Sequence, residues 1–485
     1  MKKIYYILTQ PFISTNENLL LKNKGLPFGQ KMLFPNAFFG LIFCLLFTCG
    51  CCNLQQRTNL AAPVSIPNTI REMKTAGFWI TKIKDPDGVI LDPKAVEEFN
   101  AKVERELNLI VNPLNEPSRY NGKTFKNNLQ KGIENFSGQK FYTVSGKLAD
   151  ESFYQAIKQN MNLSRIKGKV DADFGFLSHY GNQRLLPTDE PLTKEQGDIE
   201  FDELQNSSLD VGTPLIILHE SSDGLWVYAQ SPSSCGWFKK EKVALCSADK
   251  FKELLSNKNF VVVTSAKADI FLDENLTNYY DYVRMGAKFN FNETANPQVF
   301  EITIPLRTEG GKLLAQKAYI RKQDANIGYL LYTARNTIEQ AFKLLNSPYG
   351  WGGMAGEQDC SSYIQEIFTT VGITLPRNSS AQAKIGVPLG SFKAASETEE
   401  KLKIIKQEAI PGATILQMKG HIVLYIGIHK NTLYIIHETH GYGQRINSEN
   451  ISWIVNRVIV SDLTLGEGSK KGSLASRIIN IRMIK

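Results

Sequence analysis

Residues 349–362, with the sequence YGWGGMAGEQDCSS, decide how the last third of this 485-residue chain folds. A glycine-rich loop opens the segment, and Asp359 and Cys360 close it where a helical pattern begins. The apolar residues that follow recur at the spacing of one helix face. They are Tyr363, Ile364, Ile367, Phe368 and Val371. The stretch therefore predicts a helix with a buried face and with Cys360 in its first turn.

A cysteine at the start of a helix is well placed for nucleophilic chemistry. The free N–H groups and the helix dipole favour the thiolate, which is the attacking species. The same N–H groups can bind the oxyanion of a tetrahedral intermediate. Cys360 is therefore the candidate nucleophile. Because a lone buried cysteine is more often a small core residue, the assignment depends on a base elsewhere in the chain.

Four of the six histidines lie within twenty residues, in a segment with the pattern of a β-hairpin. One strand starts at His421, a polar turn surrounds Lys430, and the return strand ends at His437. A hairpin centred on this turn places His437 opposite Val423, on the face that carries His421. One imidazole can then act as general base while the other orients it. His440, just after the strand, is a further candidate for the pocket.

The remaining cysteines predict neither a disulfide framework nor a metal cluster. Four of the seven lie within residues 44–52, which leaves Cys235, Cys246 and Cys360. A single Cys235–Cys246 bridge stays open for an exported protein, and Cys360 is left over in either case. No paired Cys/His spacing typical of zinc sites occurs. We predict no metal and no organic cofactor.

The N-terminal residues have the pattern of an export signal. Residues 32–56 contain no charged side chain and follow three lysines at positions 22–31. A basic flank, a short apolar stretch and small residues at its end are typical of a signal peptide, with a retained anchor helix as the alternative. The cysteine after Gly50 resembles a bacterial lipoprotein processing site. We predict a leader over 1–51 with lipid on Cys51, and Cys49 is the alternative.

The net charge of +8 carries little information about a partner. Half of it lies in residues 1–31, within the predicted leader. The mildly basic remainder fits an anionic surface such as a bacterial envelope. No nucleic-acid partner is predicted.

Changes of pattern along the chain predict a multidomain protein. A polar tether over 52–74 leads to a small, mostly helical N-terminal domain at 75–164. Short alternating strands with turn residues between them predict two small β-barrels, at 165–250 and 251–331. A mixed helix and strand pattern covers 332–485 and contains Cys360 and the histidine hairpin.

The C-terminal motifs resemble the NlpC-type family of bacterial cell-wall cysteine peptidases, which have a papain-like α+β core. The resemblance covers about 332–485. It rests on the glycine loop, on Asp359–Ser362, Leu375–Gln382 and Pro411-Gly412, and on Gly420–Gly427. It implies that Cys360 is the nucleophile, His421 the general base and His437 the orienting third member.

The same resemblance implies how a substrate is held. The residues beside the nucleophile, Asp359 and Ser361, hold the N-terminal end of the substrate in this family. Tyr349 and Trp351 of the glycine loop are assigned to substrate binding as well. One departure is Ala413, which stands where the family commonly has an acid.

The upstream region is similar to multidomain exported members, in which a helical domain and two bacterial SH3-type barrels precede the peptidase. In such enzymes the first barrel covers one end of the cleft and restricts cleavage to stem peptides that begin with L-Ala. Some members have a tyrosine just before the Gly-Trp of this barrel, where this chain has Ser233-Ser234-Cys235.

The resemblance implies hydrolysis of the γ-D-glutamyl–diamino acid bond of peptidoglycan stem peptides. The enzyme would work in the cell envelope and be attached to the membrane by its lipid. An N-acetylmuramoyl-L-alanine amidase, an acyltransferase and a non-catalytic wall-binding protein are the alternatives.

Overall fold

The computed structural model describes residues 59–63, 65–393 and 397–485. The predicted leader with Cys51, and the first residues of the predicted tether, lie outside this part. No helix of the described part is long and apolar enough to cross a membrane.

The helices and strands are numbered in chain order. The helices are α1 (Ala76–Ile80), α2 (Pro93–Lys102), α3 (Gly122–Ser137), α4 (Glu151–Asn160), α5 (Ala248–Ser256), α6 (Ala334–Lys343), α7 (Cys360–Thr369), α8 (Ser379–Gln382), α9 (Thr398–Glu408) and α10 (Leu474–Arg477). The strands are β1 (Asn59–Ala61), β2 (Val89–Leu91), β3 (Arg119–Asn121), β4 (Lys169–Asp171), β5 (Asp173–Leu177), β6 (Gly181–Arg184), β7 (Gln205–Leu209), β8 (Pro214–Glu220), β9 (Trp226–Gln230), β10 (Cys235–Lys239), β11 (Val243–Cys246), β12 (Phe260–Val263), β13 (Lys267–Phe271), β14 (Tyr279–Arg284), β15 (Lys288–Asn292), β16 (Val299–Arg307), β17 (Leu313–Arg321), β18 (Ala325–Ile327), β19 (Tyr332–Thr333), β20 (Val387–Ser391), β21 (Thr414–Met418), β22 (His421–His429), β23 (Thr432–Ile446), β24 (Glu449–Asp462) and β25 (Ile478–Met483).

The first all-β unit, residues 173–246, is an antiparallel sheet of seven strands in the order β11-β5-β8-β9-β10-β6-β7. Strands β8 and β9 form a hairpin, with Ile217 of β8 opposite Ala229 of β9. Its turn contains Gly224 at φ +71°, a left-handed conformation that glycine adopts without strain. Phe238 and Leu215 are fully buried in the core of this unit.

The second all-β unit, residues 260–327, is also a seven-stranded antiparallel sheet. Its strand order is β14-β13-β17-β16-β15-β12-β18. The long hairpin of β16 and β17 forms its centre, and Val261 and Ile302 are buried in its core. The structure therefore has all-β units in both regions where short strands were predicted, and the SH3 type of the second unit stays a prediction.

The predicted N-terminal helical domain is not confirmed as a unit with its own core. Trp79 of α1 is fully buried and packs on Tyr434 of β23, with 5.1 Å between the ring centroids. Phe125 of α3 is fully buried against Tyr228 of β9, at 5.4 Å. The helices thus divide between two cores. An amphipathic pattern specifies that a face is buried, but not which element covers it.

The C-terminal unit, residues 332–485, is built on a mainly antiparallel sheet in the order β1-β24-β23-β22-β21-β25-β20. Its edge strand β1 comes from residues 59–61 and pairs with β24 in parallel, so this part of the predicted tether belongs to the sheet. Helices α6 and α7 pack on one face, where Ile422 and Leu424 of β22 meet Ile364 of α7. Val423 and Tyr425 of the same strand enter a separate core on the other face. Because both faces are covered, β22 has an almost continuous apolar sequence.

Two buried arginines join the three units. Arg284 of β14 donates to Ser208 Oγ of β7 at 2.9 Å and lies 3.6 Å from Glu366 of α7. Arg377, before α8, donates to Ser207 Oγ of β7 at 2.9 Å. Strand β7 also lies against the glycine loop, and the first all-β unit is therefore fixed beside the start of α7.

The conformation of the glycine loop depends on its contact with β7. Gly352 has φ +59°, and a Cβ at this position would lie 2.3 Å from the carbonyl oxygen of Gln205. We expect Gly352→Ala to lower the unfolding free energy by about 2–3 kcal/mol, because it adds backbone strain and a clash with backbone. Thermal unfolding followed by circular dichroism measures the loss. Gly310→Ala is the matched control, because a Cβ added at this position would meet no atom within 4 Å apart from its chain neighbours. Equal stability of the two variants would contradict the expectation.

Candidate active site

Cys360 is the first residue of α7, as the sequence predicts, and Asp359 is the N-cap. Asp359 Oδ1 accepts hydrogen bonds from the N–H groups of Ser361 and Ser362, at 3.0 and 2.9 Å. Ser362 Oγ accepts in return from the Asp359 N–H at 2.9 Å. This reciprocal cap fixes the start of the helix, and with it the position of the Cys360 thiol.

The thiol of Cys360 lies against the start of β22. The Ile422 N–H lies close enough to its sulfur to lower the pKa of the thiol, and 9% of the residue is exposed. The residue before Ile422 is His421, so the fold brings the start of α7 to the end of the strand that carries the predicted base. Within the described part, no hydrogen bond joins the sulfur directly to the His421 ring.

The hairpin has the predicted register. Leu424 pairs with Ile436, which places His437 opposite Val423. The rings of His421 and His437 are joined by a hydrogen bond of 2.9 Å between Nε2 of the first and Nδ1 of the second. The predicted pairing of the two imidazoles is therefore present.

The hydrogen-bond chain behind the histidines assigns their protons. Ser461 Oγ donates to the Asp462 carbonyl at 3.2 Å, so it accepts from His437 Nε2–H, also at 3.2 Å. His437 Nδ1 is then the acceptor in the histidine pair, and His421 Nε2 carries the proton. The remaining nitrogen, His421 Nδ1, is unprotonated and has no hydrogen-bond partner in the described ranges. It is the atom free to accept a proton.

The charges at the site differ from the sequence-based expectation. Burial, and then the Asp359 carboxylate, raise the pKa of Cys360 to about 12. Burial, and then the charge of Arg477, lower the pKa of His421 to about 3. The predicted ionisation of the thiol by the helix end is wrong for the free protein, because burial disfavours the thiolate and the Asp359 carboxylate adds its own negative charge. The resting pair is a neutral thiol and a neutral imidazole.

A thiol titration tests this resting state. We expect the thiolate absorbance near 240 nm that Cys360 contributes to be absent at pH 7 to 9 and to rise only in more alkaline solution. Subtracting the spectrum of Cys360→Ala isolates this signal from Cys235 and Cys246. A Cys360 thiolate that is fully formed at pH 7 would contradict the assignment of a neutral pair.

Asp359 and Arg377 form a buried ion pair next to the thiol. Arg377 Nη2 contacts Asp359 Oδ2 at 2.7 Å and Nη1 contacts Oδ1 at 3.1 Å, while Nη1 also donates to Ser361 Oγ at 2.9 Å. Burial alone would raise the pKa of Asp359, but Arg377 and the helix-capping hydrogen bonds outweigh it and hold this pKa at about 2. Arg377 is the only charged residue in 367–383, a signal to which sequence reasoning gave no role.

The predicted substrate-binding residues Tyr349 and Trp351 lie where the first all-β unit meets the cleft. Trp351 Nε1 donates to the Asp202 carbonyl at 2.9 Å. Phe201 stands between the rings of Trp351 and His440, at centroid distances of 5.2 and 4.8 Å. The segment that closes this end is therefore the loop before β7, which sequence reasoning missed.

His440 contacts the first all-β unit across one end of the cleft. Its Nε2 lies 2.8 Å from Glu200 Oε2, and its ring centroid lies 5.9 Å from that of Tyr349. The candidate pocket residue is therefore at the mouth of the cleft, on the strand that carries His437.

A helix that presents a cysteine at its first position, packed on a sheet that carries two hydrogen-bonded histidines, has the arrangement of papain-like thiol hydrolases. Residues 346–459 match the model of the NlpC/P60 family, and residues 190–239 match that of the SH3 domain of SH3b1 type. The chain therefore contains an NlpC/P60 domain at its C-terminus and an SH3b domain before it.

Two curated relatives are both named gamma-D-glutamyl-L-lysine dipeptidyl-peptidase. The one from Bacillus subtilis (strain 168) is 34% identical over 113 residues, which are 22% of this chain and 35% of the relative. The one from Bacillus cereus (strain ATCC 10987 / NRS 248) is 30% identical over 166 residues, or 31% of this chain and 44% of the relative. The chain thus spans less than half the length of these relatives.

A solved structure shares the fold across several units. The NlpC/P60 endopeptidase from Photobacterium damselae subsp. piscicida matches with a TM-score of 0.70 and 19% identity. The match covers 88% of this chain and 99% of that one. The likeness establishes a common architecture.

Proposed function

We propose that the protein is a cell-wall cysteine peptidase that hydrolyses the γ-D-glutamyl–diamino acid bond of stem peptides with a free N-terminal L-Ala. The observation that carries the proposal is the row of hydrogen bonds from Ser461 through His437 to His421, which leaves one imidazole nitrogen of His421 unprotonated. His421 directly precedes Ile422, whose N–H lies near the Cys360 sulfur. The names of the two Bacillus relatives support the choice of bond.

In the proposed reaction, His421 Nδ1 takes the thiol proton as the Cys360 sulfur attacks the γ-carbonyl carbon of D-Glu. The N–H of Cys360 is available for the oxyanion, because it has no acceptor among the described residues. The C–N bond then breaks, and His421 returns the proton to the leaving amine. Water attacks the thioester next, giving its proton to His421, and the dipeptide and free thiol are released. His437 keeps the His421 ring in the required tautomer.

The position of the first all-β unit supports cleavage close to the N-terminus of a peptide. Phe201 and Asp202 cover the side of the cleft that carries Trp351 and Asp359. A peptide whose acyl side extends toward this wall has room for few residues before the scissile bond. In the proposal, Asp359 and Ser361 hold its amino terminus, and Tyr349 and Trp351 form the walls.

A peptide assay tests the proposed function. Purified protein is incubated with L-Ala-γ-D-Glu-diaminopimelate and, separately, with intact sacculi, and the products are identified by mass spectrometry. Release of L-Ala-D-Glu supports the proposal. Free stem peptides from sacculi would instead establish an amidase, transfer of the acyl group to an added amine an acyltransferase, and binding without cleavage a wall-binding protein.

Export and lipid attachment are part of the same proposal. The peptide substrate occurs in the bacterial envelope, and the N-terminal pattern that ends at Cys51 agrees with delivery there. Labelling of growing cells with palmitate tests the anchor. Incorporation that is lost in Cys51→Ala and kept in Cys49→Ala supports Cys51, and the reverse result would assign the lipid to Cys49.

A further inference from the structure

Arg477 has a charge that the described residues do not compensate. It is half-buried at the end of α10, directly before β25. In the described ranges, its guanidinium takes part in no hydrogen bond and no ion pair. Removing a guanidinium from water without a partner is costly, and an anion from outside the chain would offset this cost.

The sheet register places Arg477 at the edge that carries the histidines. Met418 at the end of β21 pairs with His421 on one side and with Ile478 on the other. Arg477 precedes Ile478, so it lies about two strand spacings, roughly 10 Å, from His421 along this edge. Its charge also lowers the pKa values of both His421 and His437, next to the larger effect of burial.

The strand order places Arg477 on the side of His421 away from Phe201. The end closed by Phe201 is next to His440 of β23. Arg477 belongs to the opposite side, because the order is β23-β22-β21-β25. With the amino-terminal end of the substrate at the closed end and His421 under the leaving amine, the residue after the scissile bond extends toward Arg477.

We propose that Arg477 binds a carboxylate of the leaving diamino acid, an inference that rests on the proposed function. A guanidinium can hold a carboxylate through two parallel hydrogen bonds, which suits recognition of an α-carboxylate or of the side-chain carboxylate of diaminopimelate. Lys419, exposed in the turn between β21 and β22, adds a second positive charge at this edge.

Three peptides that share L-Ala-γ-D-Glu test the assignment: one ending in L-Lys, its C-terminal amide, and one ending in diaminopimelate with its α-carboxylate amidated. For the wild type, we expect kcat/KM to fall by about 10- to 100-fold from the lysine acid to its amide, the range for a charged hydrogen bond. In Arg477→Gln this ratio approaches one. If the wild type cleaves the peptide with the amidated diaminopimelate as well as the lysine acid, the side-chain carboxylate of diaminopimelate is the group that Arg477 binds.

Arg482→Gln is the matched control, because Arg482 lies on β25, the strand that follows Arg477, opposite Ile415 and away from the histidines. We expect it to keep the wild-type ratio. A purely electrostatic effect of Arg477 on the histidines would change the rates for acid and amide equally. An acid-to-amide ratio in Arg477→Gln equal to that of the wild type would overturn the inference.

Binding separates this inference from the proposed function. Isothermal titration of Cys360→Ala with the same peptides gives dissociation constants without turnover. Cys360→Ala should bind the acids more strongly than the amides, and the double variant Cys360→Ala/Arg477→Gln should bind both equally. This result supports carboxylate binding by Arg477 even if the wild type cleaves none of the peptides. Equal binding of acids and amides by Cys360→Ala would refute the inference even if the wild type cleaves the γ-D-glutamyl bond.

Discussion

Cys360→Ala is expected to lower kcat/KM for the stem peptide by about 10⁴-fold or more and to leave the fold intact. The sulfur is the atom that forms the bond to the γ-carbonyl carbon, and no other described cysteine lies at this site. Cys235 is buried in the first all-β unit, and Cys246 ends β11 of the same unit. Peptide hydrolysis followed by chromatography measures the loss.

The control for this variant is Cys246→Ala, which removes a thiol far from the helix start. We expect it to keep the wild-type rate. Thermal unfolding of Cys360→Ala should give a midpoint close to that of the wild type, since alanine fits the space of the thiol. Full activity of Cys360→Ala would disprove the role of this residue as nucleophile.

Arg377→Met is expected to have the largest effect on stability. It leaves the Asp359 carboxylate buried without its cation, and breaking a buried pair in this way costs about 3–5 kcal/mol. Activity should fall as well, because Asp359 caps the helix that positions Cys360. Urea unfolding at pH 7 measures the free energy. Arg335→Met is the control: its partner Asp87 is 65% exposed, so the loss should stay below about 1 kcal/mol.

The pH dependence of the unfolding free energy is an independent test of the Asp359–Arg377 ion pair. The folded pKa of Asp359, about 2, lies below the ordinary value of 3.8. The pair's contribution is therefore fully present above about pH 4 and is lost as the pH falls through 2. Without Arg377, burial raises the folded pKa of Asp359, so the difference in stability between wild type and Arg377→Met should begin to shrink above pH 4 and continue to shrink down to about pH 2. A difference that is small at pH 7, or constant down to pH 2, would contradict the account.

Sequence patterns were sufficient where the structure is local. The apolar stripe after Cys360 specifies a helix, and Asp359 with Ser362 three residues later supplies its cap. A two-residue turn at Lys430-Asn431, both with positive φ, joins the two strands, and a bulge between Tyr425 and Gly427 completes the register that brings the histidines together. These features depend on backbone geometry within about twenty residues.

What the sequence could not specify depends on contacts between distant segments. Ser207 and Arg377 are 170 positions apart, and no periodicity connects them. The wall formed by Phe201 depends on how the first all-β unit docks. The protonated thiol is also a product of the complete fold, because burial sets its pKa and burial is decided by every unit around it.

Acid-quenched reactions examined by intact-protein mass spectrometry test the central claim most directly. Protein mixed with L-Ala-γ-D-Glu-diaminopimelate for milliseconds should carry an added L-Ala-γ-D-Glu acyl group, and fragmentation should place it on Cys360 as a thioester. His421→Ala should accumulate far less of it, and Cys360→Ala none. Turnover of the peptide without any acylated protein, or an acyl group on another residue, would contradict the account.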